Sequence, residues 1–86
     1  MKILRFTASW CGPCKTLAAQ LEDLQRDYPV PPIEVIDIDV LPEVAKDYGV
    51  RGVPTLVMLD ENIEVRRQVG VVNRDKLIEW MRGDIA

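Results

Sequence analysis

The chain has 86 residues, of which 48% are hydrophobic and 29% charged, so it has room for one small folded domain over residues 1–86. It contains no histidine, which excludes Ser-His-Asp and Cys-His nucleophilic catalysis and metal ligation by imidazole. The formal net charge is −3, with acidic and basic residues mixed along the chain, and nucleic acid is therefore not expected as a partner.

The first half of the chain predicts two strands, each followed by a helix. Residues 2–8 are rich in apolar and β-favouring types and predict a short strand. From Cys14 onward, apolar residues recur at helical spacing and predict a helix that ends in the proline-rich stretch 29–32. The recurring residues are Leu17, Leu21, Leu24 and Tyr28. Residues 33–39 predict the second strand, and a short helix begins at Pro42.

The second half predicts a hairpin and a last helix. Residues 55–59 are nearly all apolar and predict a central strand covered on both faces, and residues 60–62 predict a turn. The next strand is amphipathic and near an edge, with Arg67 breaking its apolar side. Its apolar positions are Ile63, Val65 and Val69. Asn73 caps the last helix, which ends at Gly83. The predicted buried stripe of that helix consists of Leu77, Ile78 and Met81. This order of elements predicts a mixed sheet with helices on both faces.

No part of the sequence predicts export or membrane insertion. Charged residues interrupt the apolar start at Lys2 and Arg5, and no small-residue cleavage site follows. The longest uninterrupted apolar stretch, residues 56–59, is far shorter than the roughly 20 residues that span a bilayer. We therefore expect a cytoplasmic protein with no membrane partner, in a reducing compartment where closely spaced cysteines are catalytic or metal-binding.

The two cysteines, Cys11 and Cys14, lie where the first strand gives way to the first helix. The first turn of a helix has unpaired N–H groups and the positive end of the helix dipole, which favour a thiolate at Cys11. One helical turn brings Cys14 within bonding reach, while Gly12 permits a tight entry and Pro13 fixes φ. The expected reaction is thiol–disulfide exchange, in which Cys11 attacks a substrate disulfide and Cys14 resolves the mixed disulfide.

Other uses of two cysteines at this spacing stay open. A zinc site needs four ligands, which this chain would have to complete with carboxylates. An iron–sulfur cluster would need two cysteines from each of two subunits. Two inert buried thiols are the third alternative, although Gly12 and Pro13 are a poor choice for plain packing. A disulfide that staples the fold is excluded, because the closed loop is too short to restrict the unfolded chain much.

The segment Ala8–Lys15, with the sequence ASWCGPCK, resembles the active-site signature of the thioredoxin family. The segment Tyr48–Thr55 resembles the family's conserved stretch before the third core strand, and Val69–Gly70 resembles a third, weaker mark. The resemblance covers nearly the whole chain but lacks the strand and helix that thioredoxins of ordinary length carry at the front. It implies an α/β, minimal thioredoxin-like fold: a four-stranded mixed sheet in spatial order 2-1-3-4, flanked by three helices. The first and third helices would lie on one face and the second on the other.

The resemblance also implies roles for residues around the cysteines. The Val53–Pro54 peptide bond is expected to be cis and to face the pair, with the Val53 backbone binding an extended client segment by strand-like hydrogen bonds. Trp10 is expected to be an exposed platform, the alternative being a partly buried core aromatic. Gly70 would leave room for a partner's backbone, although a turn glycine explains it almost as well. The expected client-binding residues are Trp10, Gly12, Pro13, Val53, Pro54 and Gly70.

The sequence departs from the family at a position that matters for proton transfer. Thioredoxins carry a buried Asp six residues before the nucleophilic Cys, with a Lys partner in the next strand; here these positions are Arg5 and Val35. We expect Arg5 to lie near a sheet edge and be solvated, because a buried unpaired guanidinium is very costly. The sharper alternative places Arg5 close enough to the pair to favour a thiolate at Cys14. Lys15 is the second candidate modulator. Lys15 and Arg51 are charges that would steer an acidic partner, the alternative being that they are solvated surface charges with no specific contact.

The resemblance implies a protein disulfide reductase that binds no cofactor or metal and works through the redox-active Cys11–Cys14 disulfide. Its implied partners are client proteins with disulfides and an NADPH-linked thioredoxin reductase, and a monomer is expected. The nearest alternative is a glutaredoxin-like, glutathione-dependent electron donor, but residues 70–74 lack the Gly-Gly turn and acidic residues of that family. A binding module for a larger enzyme is another alternative. Its surface would be the rim of Trp10, Val53, Pro54, Gly70 and Val71.

Overall fold

The computed structural model describes residues 1–83, and Asp84–Ala86, the end of the expected 1–86 domain, lie outside the described residues. The elements are β1 (Lys2–Thr7), α1 (Gly12–Asp27), β2 (Ile33–Asp37), α2 (Pro42–Asp47), β3 (Thr55–Asp60), β4 (Ile63–Val69) and α3 (Arg74–Arg82). The predicted strand 33–39 ends early, at Asp37, because its Oδ1 accepts the backbone N–H of Asp39 at 2.9 Å and turns the chain. Within residues 1–83, no helix is long and apolar enough to cross a bilayer.

The four strands form one mixed sheet in the spatial order β2-β1-β3-β4, which confirms the topology that the resemblance implies. β1 pairs in parallel with β2, and β3 is antiparallel to both β1 and β4. Because β1 and β2 run parallel, their carboxyl ends meet at the same edge of the sheet. The segments that follow Thr7 and Asp37 therefore emerge side by side.

One face of the sheet is covered by α1 and α3, which pack on Ile3, Leu56 and Met58. These helices enclose the larger of the two main apolar clusters. Its buried helical residues are Leu17, Leu21, Leu24, Leu77 and Trp80. α1 is also tied to the loop before α3, since the Gln20 side chain donates a hydrogen bond to the Val72 carbonyl at 3.0 Å. The cysteine pair therefore sits at the start of a helix held against the main core.

The buried side of α3 differs from the predicted Leu77, Ile78 and Met81. The structure buries Leu77 and Trp80 and leaves Ile78 and Met81 half-buried against the same cluster. Residues three positions apart share a helix face, so Trp80 lies on the side of Leu77 and its large ring takes the space assigned to two smaller side chains. The predicted stripe of α1 was wrong at Tyr28, which is 41% exposed because it lies beyond the last helical turn.

The other face of the sheet is covered by α2 alone, so the helices divide between the faces as the resemblance implies. This helix has six residues and is about 9 Å long. The apolar cluster beneath it contains Leu4, Phe6, Ile36, Ala45, Val57 and Leu59. Tyr48, at the end of α2, tilts against Phe6 with the ring centroids 5.9 Å apart. This layer is thinner than the opposite one.

The predicted edge position of β4 is confirmed, and its apolar residues are exposed. Ile63, Val65 and Val69 are 68%, 46% and 64% exposed. A register shift against β3 between Met58 and Leu59 interrupts the alternation of β4, so that Ile63, opposite Asp60, and Val69, opposite Thr55, lie on different faces of the sheet. Arg66 and Gln68 instead lie half-buried, on the face of α1 and α3, opposite buried residues of β3.

The last helix begins and ends at the predicted residues. Asn73 Oδ1 accepts the backbone N–H of Lys76 at 2.9 Å, which caps α3. Gly83 ends the helix at φ +74°, and a Cβ there would lie only 2.7 Å from Arg66 Nη2. The positive φ therefore strongly favours glycine at this position, and a larger residue would also have to displace the Arg66 guanidinium.

Candidate redox site

The cysteine pair spans the junction between β1 and α1. Cys11 is the N-cap of α1, and its backbone N–H donates to the Ala8 carbonyl at 3.1 Å. Cys11 and Cys14 form a disulfide with their Cα atoms 5.3 Å apart. The backbone N–H of Cys14 donates to Cys11 Sγ at 3.1 Å, so a helix N-terminal amide points at this sulfur. Such an amide and the helix dipole stabilise negative charge on Cys11 when the disulfide is reduced.

Both cysteines are buried. Cys11 is 4% exposed and Cys14 is 1% exposed, and Ala8 is buried beside them. Ile38 and Val53 pack against this small cluster. The disulfide is therefore enclosed by apolar side chains from the segments that follow β2 and precede β3.

Trp10 stands on the surface immediately before the cysteine pair. Its side chain is 68% exposed, so the alternative of a partly buried core aromatic was wrong. The indole Nε1–H donates to Asp39 Oδ2 at 2.9 Å. Asp39 was not identified from the sequence. The position of Asp39 could have been predicted from the topology. Asp39 follows β2, and the carboxyl ends of the parallel strands β1 and β2 meet at the edge of the sheet where Trp10 lies.

The loop before β3 carries the cis peptide bond between Val53 and Pro54, as the resemblance implied. Thr55 Oγ1 donates to the Gly52 carbonyl at 2.8 Å, and the Gly70 N–H donates to the Pro54 carbonyl at 2.9 Å. Among residues 1–83, the Val53 backbone has no hydrogen-bond partner. Val53 packs against the cluster of Ala8, Cys11 and Cys14, which brings this loop to the cysteine pair.

Gly70 follows β4 and adopts φ +82°, a conformation that strongly favours glycine. A Cβ at this position would meet nothing within 4 Å. The turn therefore explains the glycine without a partner, and the open space beside it stays compatible with one. Gly12, Pro13 and Lys15 lie exposed in the first turn of α1, and Lys15 has no ion pair within residues 1–83.

Arg5 occupies an inner strand, so the expected placement near a sheet edge was wrong. It pairs with Val35 of β2, as the two family positions implied. The side chain is half-buried and lines a cavity of about 220 Å³ between α1 and β2, together with Glu22 and Gln25. Burial lowers the pKa of the Arg5 guanidinium, and the Glu22 carboxylate opposes that shift. The cation therefore faces a carboxylate of α1, the helix that begins at the cysteines.

Arg67 supports the loop before Pro54 from the neighbouring strand. Its Nη2 donates to the Tyr48 carbonyl at 2.6 Å and to Glu64 Oε1 at 2.8 Å, and its Nε donates to Glu64 Oε2 at 2.8 Å. The hydrogen bond from Arg67 lowers the pKa of Glu64, and the same bond raises the pKa of Arg67. The sequence showed only that Arg67 breaks an apolar pattern. The structure shows that it caps the C-terminal end of α2.

The residues available for metal binding are few. Within residues 1–83, no group of three or more cysteine, aspartate or glutamate side chains is placed to hold a metal ion. The arrangement around Cys11 and Cys14 is that of a two-sulfur exchange centre, with an exposed aromatic ring on one side and a cis-proline loop on the other.

Comparison with protein families and curated proteins gives one consistent result. The family model described as Thioredoxin matches residues 1–83. The chain is 40% identical over 77 residues to a thioredoxin of Chlamydia muridarum, covering 90% of this chain and 76% of that protein. It is 42% identical over 77 residues to a thioredoxin of Chlamydia trachomatis serovar D, with the same coverage.

Solved structures agree with the sequence relatives. A mutant thioredoxin from Halobacterium salinarum superimposes with a TM-score of 0.85 at 35% identity, covering 95% of this chain and 72% of that one. The thioredoxin of Fasciola hepatica superimposes with a TM-score of 0.84 at 34% identity, covering 95% of this chain and 78% of that one.

Proposed function

Because the chain belongs to the thioredoxin family and is a dithiol–disulfide oxidoreductase, we propose that it is a general reductase of disulfides in client proteins. The observation that carries this proposal is the helix amide directed at one of the two sulfurs. The backbone N–H of Cys14 points at Cys11 Sγ at the start of α1, and both residues are buried, with Cys11 4% and Cys14 1% exposed. Thioredoxins work through this disulfide and carry no further cofactor.

Two exchanges complete the reaction. The Cys11 thiolate attacks one client sulfur, the client S–S bond breaks, and the departing client thiolate takes up a proton. Cys14 then loses its proton and attacks Cys11 Sγ, which breaks the mixed disulfide and releases the second client thiolate, also protonated. The client gains two electrons and two protons, and this chain is left with the Cys11–Cys14 disulfide.

The client-binding surface that we propose consists of Trp10, Gly12, Pro13, Val53, Pro54 and Gly70. The Val53 backbone, which lacks a partner among residues 1–83, would pair with an extended client segment in the manner of an added strand. Trp10 would cover one side of that segment. Arg5 and Lys15 are proposed as charges that modulate the pair, Arg5 from within the fold and Lys15 from the surface.

The proposal extends to the setting in which the protein works. An NADPH-linked thioredoxin reductase would return the disulfide to the dithiol, and clients would be proteins with accessible disulfides. We propose that residues 1–86 act as one monomeric unit in the cytoplasm, where the reducing conditions suit this direction of exchange.

A trapping experiment tests the proposal. Immobilised Cys14→Ser protein, with Cys11 reduced, is incubated with an oxidised lysate, and bound proteins are released with dithiothreitol. We expect many clients to be held as mixed disulfides, because Cys11 attacks and nothing resolves the bond. The control is the Cys11→Ser/Cys14→Ser protein, which should hold none. Equal recovery from both columns would contradict the proposal.

Two assays of the wild-type protein separate the thioredoxin role from a glutathione-dependent one. Wild-type protein is assayed by insulin reduction with NADPH and a thioredoxin reductase, and by release of glutathione from a glutathionylated protein with glutathione and its reductase. We expect turnover in the first assay only. Turnover in the second assay alone would assign the glutaredoxin-like alternative.

A further inference from the structure

Trp10, which directly precedes Cys11, is held by a turn that carries two further exposed apolar residues. Trp10, Val40 and Leu41 are 68%, 71% and 40% exposed, and we call these three residues the Trp10 patch. Asp39 accepts the indole N–H at 2.9 Å, and the next two residues along the chain are Val40 and Leu41. The Asp37 carbonyl accepts the backbone N–H groups of Leu41 at 2.8 Å and Val40 at 3.2 Å. The patch is therefore held in place by hydrogen bonds.

The patch has no part in the apolar core. None of its three residues belongs to the buried clusters or to the half-buried residues packed against them. Leu41 is the N-cap of α2, a position that favours Asn, Asp, Ser or Thr, and its side chain makes no capping hydrogen bond. Neither core packing nor helix capping accounts for apolar residues at these positions. Adjacent exposed apolar side chains are characteristic of a binding surface.

We infer that the Trp10 patch is a client subsite, which binds a bulky apolar side chain close to the reacting cysteine of the client. The inference rests on the proposed reductase function, because a client must place a sulfur against Cys11. Trp10 directly precedes Cys11, so a client segment that reaches this sulfur is brought alongside the patch. An apolar client side chain gains by removing the carbon surface of Val40 and Leu41 from water, whereas a polar one does not.

A test of this subsite needs model clients that differ only in the side chains next to the reactive cysteine. Two short peptides are made with the same internal disulfide and a fluorophore and quencher that separate on reduction. One carries Leu residues flanking the reactive cysteine, and the other carries Gln at the same positions. Ellman's reagent serves as a small disulfide that presents no flanking side chains. Stoichiometric reduced protein gives the second-order rate constant of a single turnover, so no reductase is needed.

The test variant is Val40→Asn/Leu41→Asn. It removes the aliphatic carbon of the patch and keeps Trp10 and both cysteines, and Asn is a preferred N-cap residue, so folding is retained. The matched control is Ile63→Thr/Val65→Thr, which removes exposed apolar side chains from the β3–β4 hairpin at the opposite end of the sheet. Threonine suits a strand.

We expect the wild-type protein and the hairpin control to reduce the Leu peptide about tenfold faster than the Gln peptide. The Val40→Asn/Leu41→Asn variant should lose most of this preference, while its rates with the Gln peptide and Ellman's reagent change less than about twofold. An unchanged preference would overturn the inference, and so would an equal slowing with all three disulfides. If the wild-type protein reduces Ellman's reagent but neither peptide, the proposed protein reductase function fails, and the subsite with it.

Discussion

The two faces of the sheet differ in how they are held together. The face covered by α1 and α3 rests on large apolar side chains, with Trp80, Leu17 and Leu56 at most 1% exposed. The face covered by α2 has a smaller apolar cluster, and its helix end is secured by the guanidinium of Arg67. The first face positions the cysteines, and the second leads into the cis-proline loop. We therefore expect stability and redox chemistry to depend on one layer, and the proposed client recognition to depend largely on the other.

Truncation of a buried side chain in the layer of α1 and α3 should have the largest effect on stability. Trp80→Ala removes the largest fully buried side chain and should lower the free energy of unfolding by about 3–5 kcal/mol. Urea denaturation monitored by circular dichroism measures this change. Trp80→Phe is the control: the indole Nε1–H has no hydrogen-bond partner within residues 1–83, so this change loses volume only, at about 1 kcal/mol. Similar losses in the two variants would contradict the packing account.

A change in the layer of α2 should act on the proposed client recognition more than on stability. Arg67→Met removes the hydrogen bond to the Tyr48 carbonyl and should cost about 1–2 kcal/mol. Because the loop from Tyr48 to Pro54 loses its support, single-turnover reduction of a peptide disulfide should slow several-fold, with Ellman's reagent unaffected. Glu64→Gln retains the Arg67 cation and is the control, expected to stay near wild type. Equal slowing with both disulfides would show that the two layers are not separable.

The smallest effect is expected for a change at Arg5, which lines the cavity between α1 and β2. Arg5→Met removes a half-buried positive charge from the cavity beside α1. If this charge favours a thiolate, the midpoint of the pH profile for alkylation of the reduced cysteines should move a few tenths of a pH unit, roughly, to higher pH. Arg26→Met, in the last turn of the same helix, is the matched control. Identical profiles for Arg5→Met and wild type would remove Arg5 from the set of modulators.

The sequence was sufficient to predict those features that depend on a local pattern or on a specific motif. The strand and helix order, the N-cap Asn73, the end of α3 at Gly83 and the cis bond before Pro54 were all predicted correctly. The cysteine pair belongs here too, because two residues of separation and a helix start define its geometry without the rest of the fold.

The errors arose where a residue's surroundings come from distant parts of the chain. The sequence predicts that Ile63, Val65 and Val69 share one side of β4, but a register shift against β3 interrupts that alternation. Trp80 could be placed in the core only by knowing how much space lies between α3 and the sheet. Arg67 acts on a partner 19 residues away, which no local pattern identifies. Asp39 is 29 residues from Trp10 and could be assigned only by using the parallel pairing of β1 and β2.

The hydrogen bond between Trp10 and Asp39 has a consequence for the order of events during folding. Cys11 and Cys14 are three residues apart, so their sulfurs can meet as soon as one helical turn forms. The indole and its carboxylate are 29 residues apart and come together only when β1 and β2 have paired. On the inferred role of the Trp10 patch, a chain that is still folding would exchange electrons before it could select a client. The patch would form only with the native sheet, after the two sulfurs can already react.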